Sequence, residues 1–218
     1  MSSTKRISKK DYKKKFDGKE SLALNQALDI RKFEIDLYWR RATYFWTFIG
    51  ATLAGFIAIE ASEAQNKQDL AVILANLGLV FSFAWFCANK GSKFWQENWE
   101  KHVDVLEDNV TGPLYKVVLS RNEVLSKKER VVEFATGPAK ISVSKINQLI
   151  SLYVTILWTF LLIYSLPEFS CEKSINWFYV FITGLSALLC ASFLWLAGSY
   201  GGGYHHTANL RKSRVKYR

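Results

Sequence analysis

Three observations predict an all-α, four-span transmembrane protein with long helices that extend out of the bilayer into a cytosolic region. Four apolar blocks of roughly 18–21 residues contain no Asp, Glu, Lys or Arg. Of 29 Lys and Arg residues, 27 fall in three of the five segments that these blocks leave. The polar stretch after the second block keeps a helical spacing of its larger apolar residues. Mean hydropathy is only +0.01, because 50% hydrophobic residues are averaged with a net charge of +10. The segregation of the two along the chain argues against a soluble domain. Such a domain spreads its apolar residues at the helix or strand period.

The predicted spans are residues 42–60, 70–89, 146–166 and 177–196. A hydrocarbon core of about 30 Å needs about 20 helical residues, so each block is long enough to cross. The first block begins only at residue 42, behind a charged segment and with no cleavage-site pattern. It therefore reads as a retained span and not as a signal peptide.

Orientation follows from the cations. Residues 1–41 hold 12 Lys and Arg, the central loop 10 and the C-terminal tail five. The two remaining loops hold one each, Lys67 and Lys173. Lys and Arg accumulate on the cytosolic face, so both termini and the central loop are expected there. The basic runs KKDYKKK and RKSRVKYR are expected to lie against anionic lipid, at about 1 kcal/mol per cation near the surface. Charge alone does not make a nucleic-acid site, and no nucleic-acid-binding fold is visible.

The segments between the spans differ in character. Residues 1–20 are basic and poor in apolar side chains, and a disordered tail is expected. Residues 21–41 contain no Gly or Pro and predict a cytosolic helix that runs straight into the first span. Trp39, Arg40 and Arg41 are its expected interface anchors, since Trp prefers the headgroup level and Arg holds the cytosolic end. Residues 90–145 form the predicted cytosolic helical region. Trp95, Trp99, His102, Leu106 and Val110 recur at helical spacing and form a packing stripe. That stripe requires a partner: the N-terminal helix, the later central loop or another subunit. Gly112-Pro113 ends this helix. Ser126 and Glu129 have capping-box spacing, and Ser142 or Ser144 is placed to cap the third span. Residues 197–218 are a basic tail entered through Gly198 and Gly201–203.

Catalytic and metal motifs do not emerge. Cys87 and Cys190 lie inside spans, Cys171 stands alone in an outer loop, and no C-x-x-C occurs. His205 and His206 sit in a Gly-rich tail. His102 falls on the Trp95–Trp99 stripe, where a packing role is the simpler reading and Asp104, Glu107 or Asn98 would have to orient a catalytic one. No arginine lies shortly before a histidine, which excludes an Arg-x4-6-His ribonuclease. Phosphate-loop, dinucleotide, nucleophile-elbow and zincin motifs are absent. No enzyme activity, cofactor or metal is expected. Span interiors lack the ionisable residue that proton pumps and many ion-coupled transporters place near the midplane. Asn76, Ser82 and Thr155 are the candidate pore-lining or interhelical polar residues.

The segments EIDLYWRRATYFW (34–46), FWQENWEKHVDVLED (94–108), GPLYK (112–116) and SVSKIN (142–147) resemble the RipA family of octameric bacterial inner-membrane proteins. The resemblance runs over about residues 22–196. It implies a homo-octameric assembly in a bacterial inner membrane and no settled biochemical activity. Four spans are too few to enclose a wide path, so any conduit must form between subunits, and closed rings are the usual symmetry of homo-oligomers. The expected function is a homo-oligomeric channel or pore-like assembly, with stress or phage defence as its setting. The alternative is a non-conducting membrane scaffold or regulator that recruits lipid or cytosolic partners.

Overall fold

A computed structural model describes residues 7–119, 127–168 and 174–199. Ser126, Cys171, Lys173, His205, His206, Gly201–203 and the final run RKSRVKYR lie outside the described residues. Every regular element among the described residues is helical: α1 (Lys9–Lys15), α2 (Glu20–Glu60), α3 (Lys67–Leu106), α4 (Lys127–Thr136), α5 (Val143–Ser165) and α6 (Trp177–Trp195). A single 3-10 turn, Glu107–Asn109, follows α3. Four of the helices are long and apolar enough to cross a membrane.

α2 and α3 have 41 and 40 residues. At 1.5 Å per residue each is about 60 Å long, twice the hydrocarbon thickness. They run antiparallel and in contact. The uncharged half of each is one wall of the span bundle, and the charged halves continue together as a two-helix extension. α3 is the hub. α2, α5 and α6 each pack on it and hardly on one another. The apolar window of α3 is 39% buried, against 6% for α6.

Packing inside the spans depends on small residues meeting large ones. The Trp158 indole lies flat on Gly78, where an added Cβ would come 2.2 Å from the ring. No other residue fits there. Phe56 meets the same indole edge-on at 5.9 Å between centroids. Lipid tails are as apolar as these side chains, so close contact, and not exclusion of water, is what holds the helices together. At the end of the bundle away from the extension, the hydroxyl of Tyr179 donates to Asp69 Oδ1 (2.5 Å), joining the start of α6 to the start of α3.

One expectation fails at the N-terminus. In place of a disordered tail, residues 9–15 form α1. Ser8 caps it by accepting from the Asp11 amide (3.1 Å), which satisfies an otherwise orphaned backbone donor. Tyr12 and Phe16, four residues apart, pack onto the Leu24, Ala27, Val103 and Leu106 cluster of the extension. Lys9 and Lys13 each approach Asp108 at 3.8 Å. Composition suggested disorder because two aromatics among many lysines are few. They suffice here because a preformed two-helix surface receives them. Gly18, at φ +71°, turns the chain from α1 into α2, a conformation that glycine adopts without steric penalty.

α4 closes with the Gly137 amide donating to the Glu133 carbonyl (2.7 Å), and it carries apolar side chains outward. Val131, Val132 and Phe134 are 70%, 56% and 94% exposed. Ser142, one of the two expected caps of the third span, accepts from the Lys145 amide at 3.4 Å.

Candidate functional site: the junction of spans and extension

Where the uncharged runs of α2 and α3 give way to charged sequence, a buried polar network crosses the bundle. Asn147 donates through Nδ2 to the Tyr38 hydroxyl (2.7 Å) and to Asn89 Oδ1 (3.3 Å). Asn89 donates through Nδ2 to Ser151 Oγ (3.1 Å). All four side chains are buried. They sit on α2, α3 and α5, so three helices are locked in register at this level. Burial pushes the Tyr38 phenol up, partly opposed by the bond from Asn147, so it stays a neutral hydroxyl.

Beside the network, Arg41 donates through Nη1 to Ser92 Oγ (2.9 Å) and stands 3.9 Å from Glu34 Oε2. Arg41 is half-buried and faces α3. Arg40 points away and pairs with Asp36 at 2.8 Å, its side chain 75% exposed. Trp39 is partly exposed and meets the Tyr38 ring edge-on at 5.3 Å. The three expected anchors thus divide: Trp39 and Arg40 face outward, and Arg41 ties α2 to α3.

Above this level the extension is held by charge. Arg31 stands 3.8 Å from Glu100, its guanidinium lies 5.3 Å over the Tyr115 ring, and Nη1 donates to the Tyr115 hydroxyl at 3.4 Å. Glu107 is 1% exposed. Its Oε2 accepts from the Tyr115 amide (2.6 Å) while Oε1 lies 3.6 Å from Lys116 Nζ. Lys116 also pairs with Asp108. This pairing holds the Asp108 carboxyl below its usual range and the Lys116 ammonium above its own. The GPLYK segment is therefore folded back onto the tip of α3, with Glu107 as its buried anchor.

Of the predicted stripe Trp95, Trp99, His102 and Leu106, only Leu106 lies on the buried seam of α3. That seam runs through Ser92, Gln96, Val103 and Leu106, all buried, while Trp95, Trp99 and His102 flank it half-buried and Val110 is 39% exposed. Its partners belong to the same chain: α2 on one side and α1 on the other. The Tyr12 hydroxyl shares a 2.5 Å hydrogen bond with His102 Nδ1. Burial lowers the His102 pKa and raises that of Tyr12. Trp95 donates through its indole nitrogen to Ser199 Oγ at 3.2 Å.

Asn76, Ser82 and Thr155 all point into the protomer. Asn76 Nδ2 donates to the Val72 carbonyl (2.9 Å) and reaches Thr183 Oγ1 at 3.5 Å on α6. Ser82 and Thr155 bond to carbonyls of their own helices. Asn89 escaped the sequence reading, and Glu107 entered it only as a possible orienter of His102. Asn89 lies at the edge of an apolar block, and Glu107 follows Glu97, Glu100 and Asp104 on a highly charged helix. The only sequence signal was position: Asn89 sits seven residues beyond Ser82 on the same helix face. Among the described residues no group of three His, Cys, Asp or Glu is placed to hold a metal.

No curated protein and no solved structure matches the chain significantly. A family model does, over residues 22–167. The matched stretch includes α2, α3, α5, the Asn89–Asn147 network and the Glu107 anchor, and so takes in most of the features that fix the junction. Two-thirds of the sequence and three of its four apolar helices place this multi-pass, self-associating membrane protein in the octameric membrane protein family (8xMP).

Proposed function

We propose that eight copies close into a ring whose axis is a gated conduit through the bilayer. The observation that carries this reading is the outer face of α2. Opposite its packed side runs a stripe of exposed Thr43, Thr47, Gly50, Ala51, Ala54 and Ala58, flanked by exposed Trp46, Phe48 and Ile57. The outer faces of α5 and α6 instead expose large apolar side chains such as Phe160, Ile163, Phe181 and Leu188. Large apolar groups suit lipid tails. A face of small and hydroxyl-bearing residues suits a closely approaching helix or a water-filled axis. The span interiors carry no Asp, Glu, Lys, Arg or His, and a conduit of this kind closes by dewetting, which requires none.

In this reading the two-helix extension and both termini face the cytosol of a bacterial cell. The one-sided distribution of 27 cations supports that orientation. The C-terminal basic tail rests on anionic lipid. The KKDYKKK run, docked as α1 at the tip of the extension about 20 Å beyond the uncharged run of α3, stands clear of the leaflet. The extension senses a stress or phage-defence signal. The test is flux from liposomes that contain the purified octamer. We expect release of a small trapped dye, and reduced release from Ala54→Trp, which narrows the α2 face.

A second reading has its own support. Asn76, Ser82 and Thr155 turn inward, while α4 holds Phe134 94% exposed. Both features fit a non-conducting scaffold that recruits a cytosolic partner through α4. Intact octamers without flux would favour it.

A further inference from the structure

α2 and α6 both pack on α3 but hardly on each other. The space between them is a cavity of about 750 Å³, open to the side, at the level where charge stops along both long helices. Its floor is α3, and the floor is cut low by Ala84, Ala88 and Gly91. A Cβ added at Gly91 would meet nothing within 4 Å. The inner part of the wall is apolar, with Phe193 of α6 opposite Tyr44 of α2. The outer part is polar and dipolar. Arg41, with Ser92, lies at the boundary, and Glu34, two helical turns further from the bilayer along α2, reaches back to within 3.9 Å of Arg41 Nη1. Among the described residues only Nη1 of Arg41 is hydrogen-bonded, so Nη2 and Nε remain available to an acceptor.

We propose that this cleft binds one phosphatidylethanolamine molecule per protomer: the lipid phosphate on Arg41, its ammonium on Glu34, and an acyl chain along the apolar wall above Ala84 and Ala88. The order of charges decides the ligand. In this headgroup the phosphate lies nearer the tails and the ammonium further out, and the cleft presents a cation inward and a carboxylate outward. Phosphatidylcholine carries a quaternary ammonium that cannot donate a hydrogen bond to Glu34. An anionic headgroup leaves Glu34 facing negative charge. A soluble phosphate ester has nothing to place on the apolar wall. The site does not depend on whether the octamer axis conducts.

The test uses the full-length protein in nanodiscs made from equal parts phosphatidylethanolamine and phosphatidylcholine, with bound lipid counted by native mass spectrometry of the intact octamer. The wild type is expected to retain phosphatidylethanolamine in preference to phosphatidylcholine. Glu34→Gln is expected to reduce that preference by about tenfold, the size of one lost charge-assisted hydrogen bond. Gly91→Leu fills the floor from an open position and improves helix propensity, so the octamer is expected to persist while bound lipid is lost. Equal retention of the two lipids by the wild type would overturn the assignment. So would undiminished lipid in Gly91→Leu, or a disulfide from Gly91→Cys to another copy, which would make the cleft a subunit contact.

Discussion

Gly78 and the Asn89–Asn147 pair are the residues on which the protomer's internal packing depends most. A methyl group at Gly78 would enter the Trp158 ring. Overpacking of this kind costs about 1–3 kcal/mol, so Gly78→Ala is expected to lower the thermal midpoint of the detergent-solubilised protein. Gly91→Ala, on the same helix with open space around it, should leave the midpoint unchanged or raised. Asn89 and Asn147 bond to each other and to different third partners. A double-mutant cycle of Asn89→Ala and Asn147→Ala should therefore show coupling, of about 0.6–1.7 kcal/mol for hydrogen bonds in a membrane interior. Additive effects in unfolding experiments would show that the network carries no register. At this scale the sequence revealed little. Asn147 and Ser151 could be seen as polar residues in a span. Nothing local marked Tyr38 and Asn89 as their partners, since those residues lie 109 and 58 positions from Asn147.

The N-terminal helix α1 is the element whose attachment is expected to depend on pH. It docks through Tyr12 on His102, with Lys9, Lys13 and Asp108 grouped at the same tip. Burial lowers the His102 pKa below its ordinary 6.5. Protonation therefore favours the undocked state, and docking is fully present above about pH 6.5 and weakens as pH falls below it. Amide exchange in residues 9–15 is expected to be slow at about pH 8 and faster at about pH 5. His102→Phe, which cannot be protonated, should flatten that dependence. Exchange that stays pH-independent in the wild type, once corrected for its intrinsic rate, would contradict the docking geometry. The long helices were legible as elements because uncharged blocks and an interruption-free 21–49 stretch can be read locally. α1 was not. Its helix depends on a surface built by residues 24–27 and 103–106, and no local composition reports such a surface.

For the whole molecule, the fold class follows from a solvent argument. Backbone polar groups cannot be left unpaired in hydrocarbon, so uncharged runs of this length must be helical. Four such helices form, and the family match makes the assembly an octamer-forming membrane protein. The placement of α3 at the centre was not legible, because all four blocks look equally apolar and only the contacts distinguish a hub from a lipid-facing helix. The account as a whole rests on the two charged half-helices and the basic termini sharing one side of the bilayer, with the 61–66 turn on the other. Thiol labelling in sealed, oriented membrane vesicles tests this most directly, with single cysteines placed at Ile7, Glu63 and Glu97 of a cysteine-free background. The prediction is that an impermeant reagent reaches positions 7 and 97 from one face and position 63 only from the opposite face. Labelling of positions 63 and 97 from the same face would contradict it.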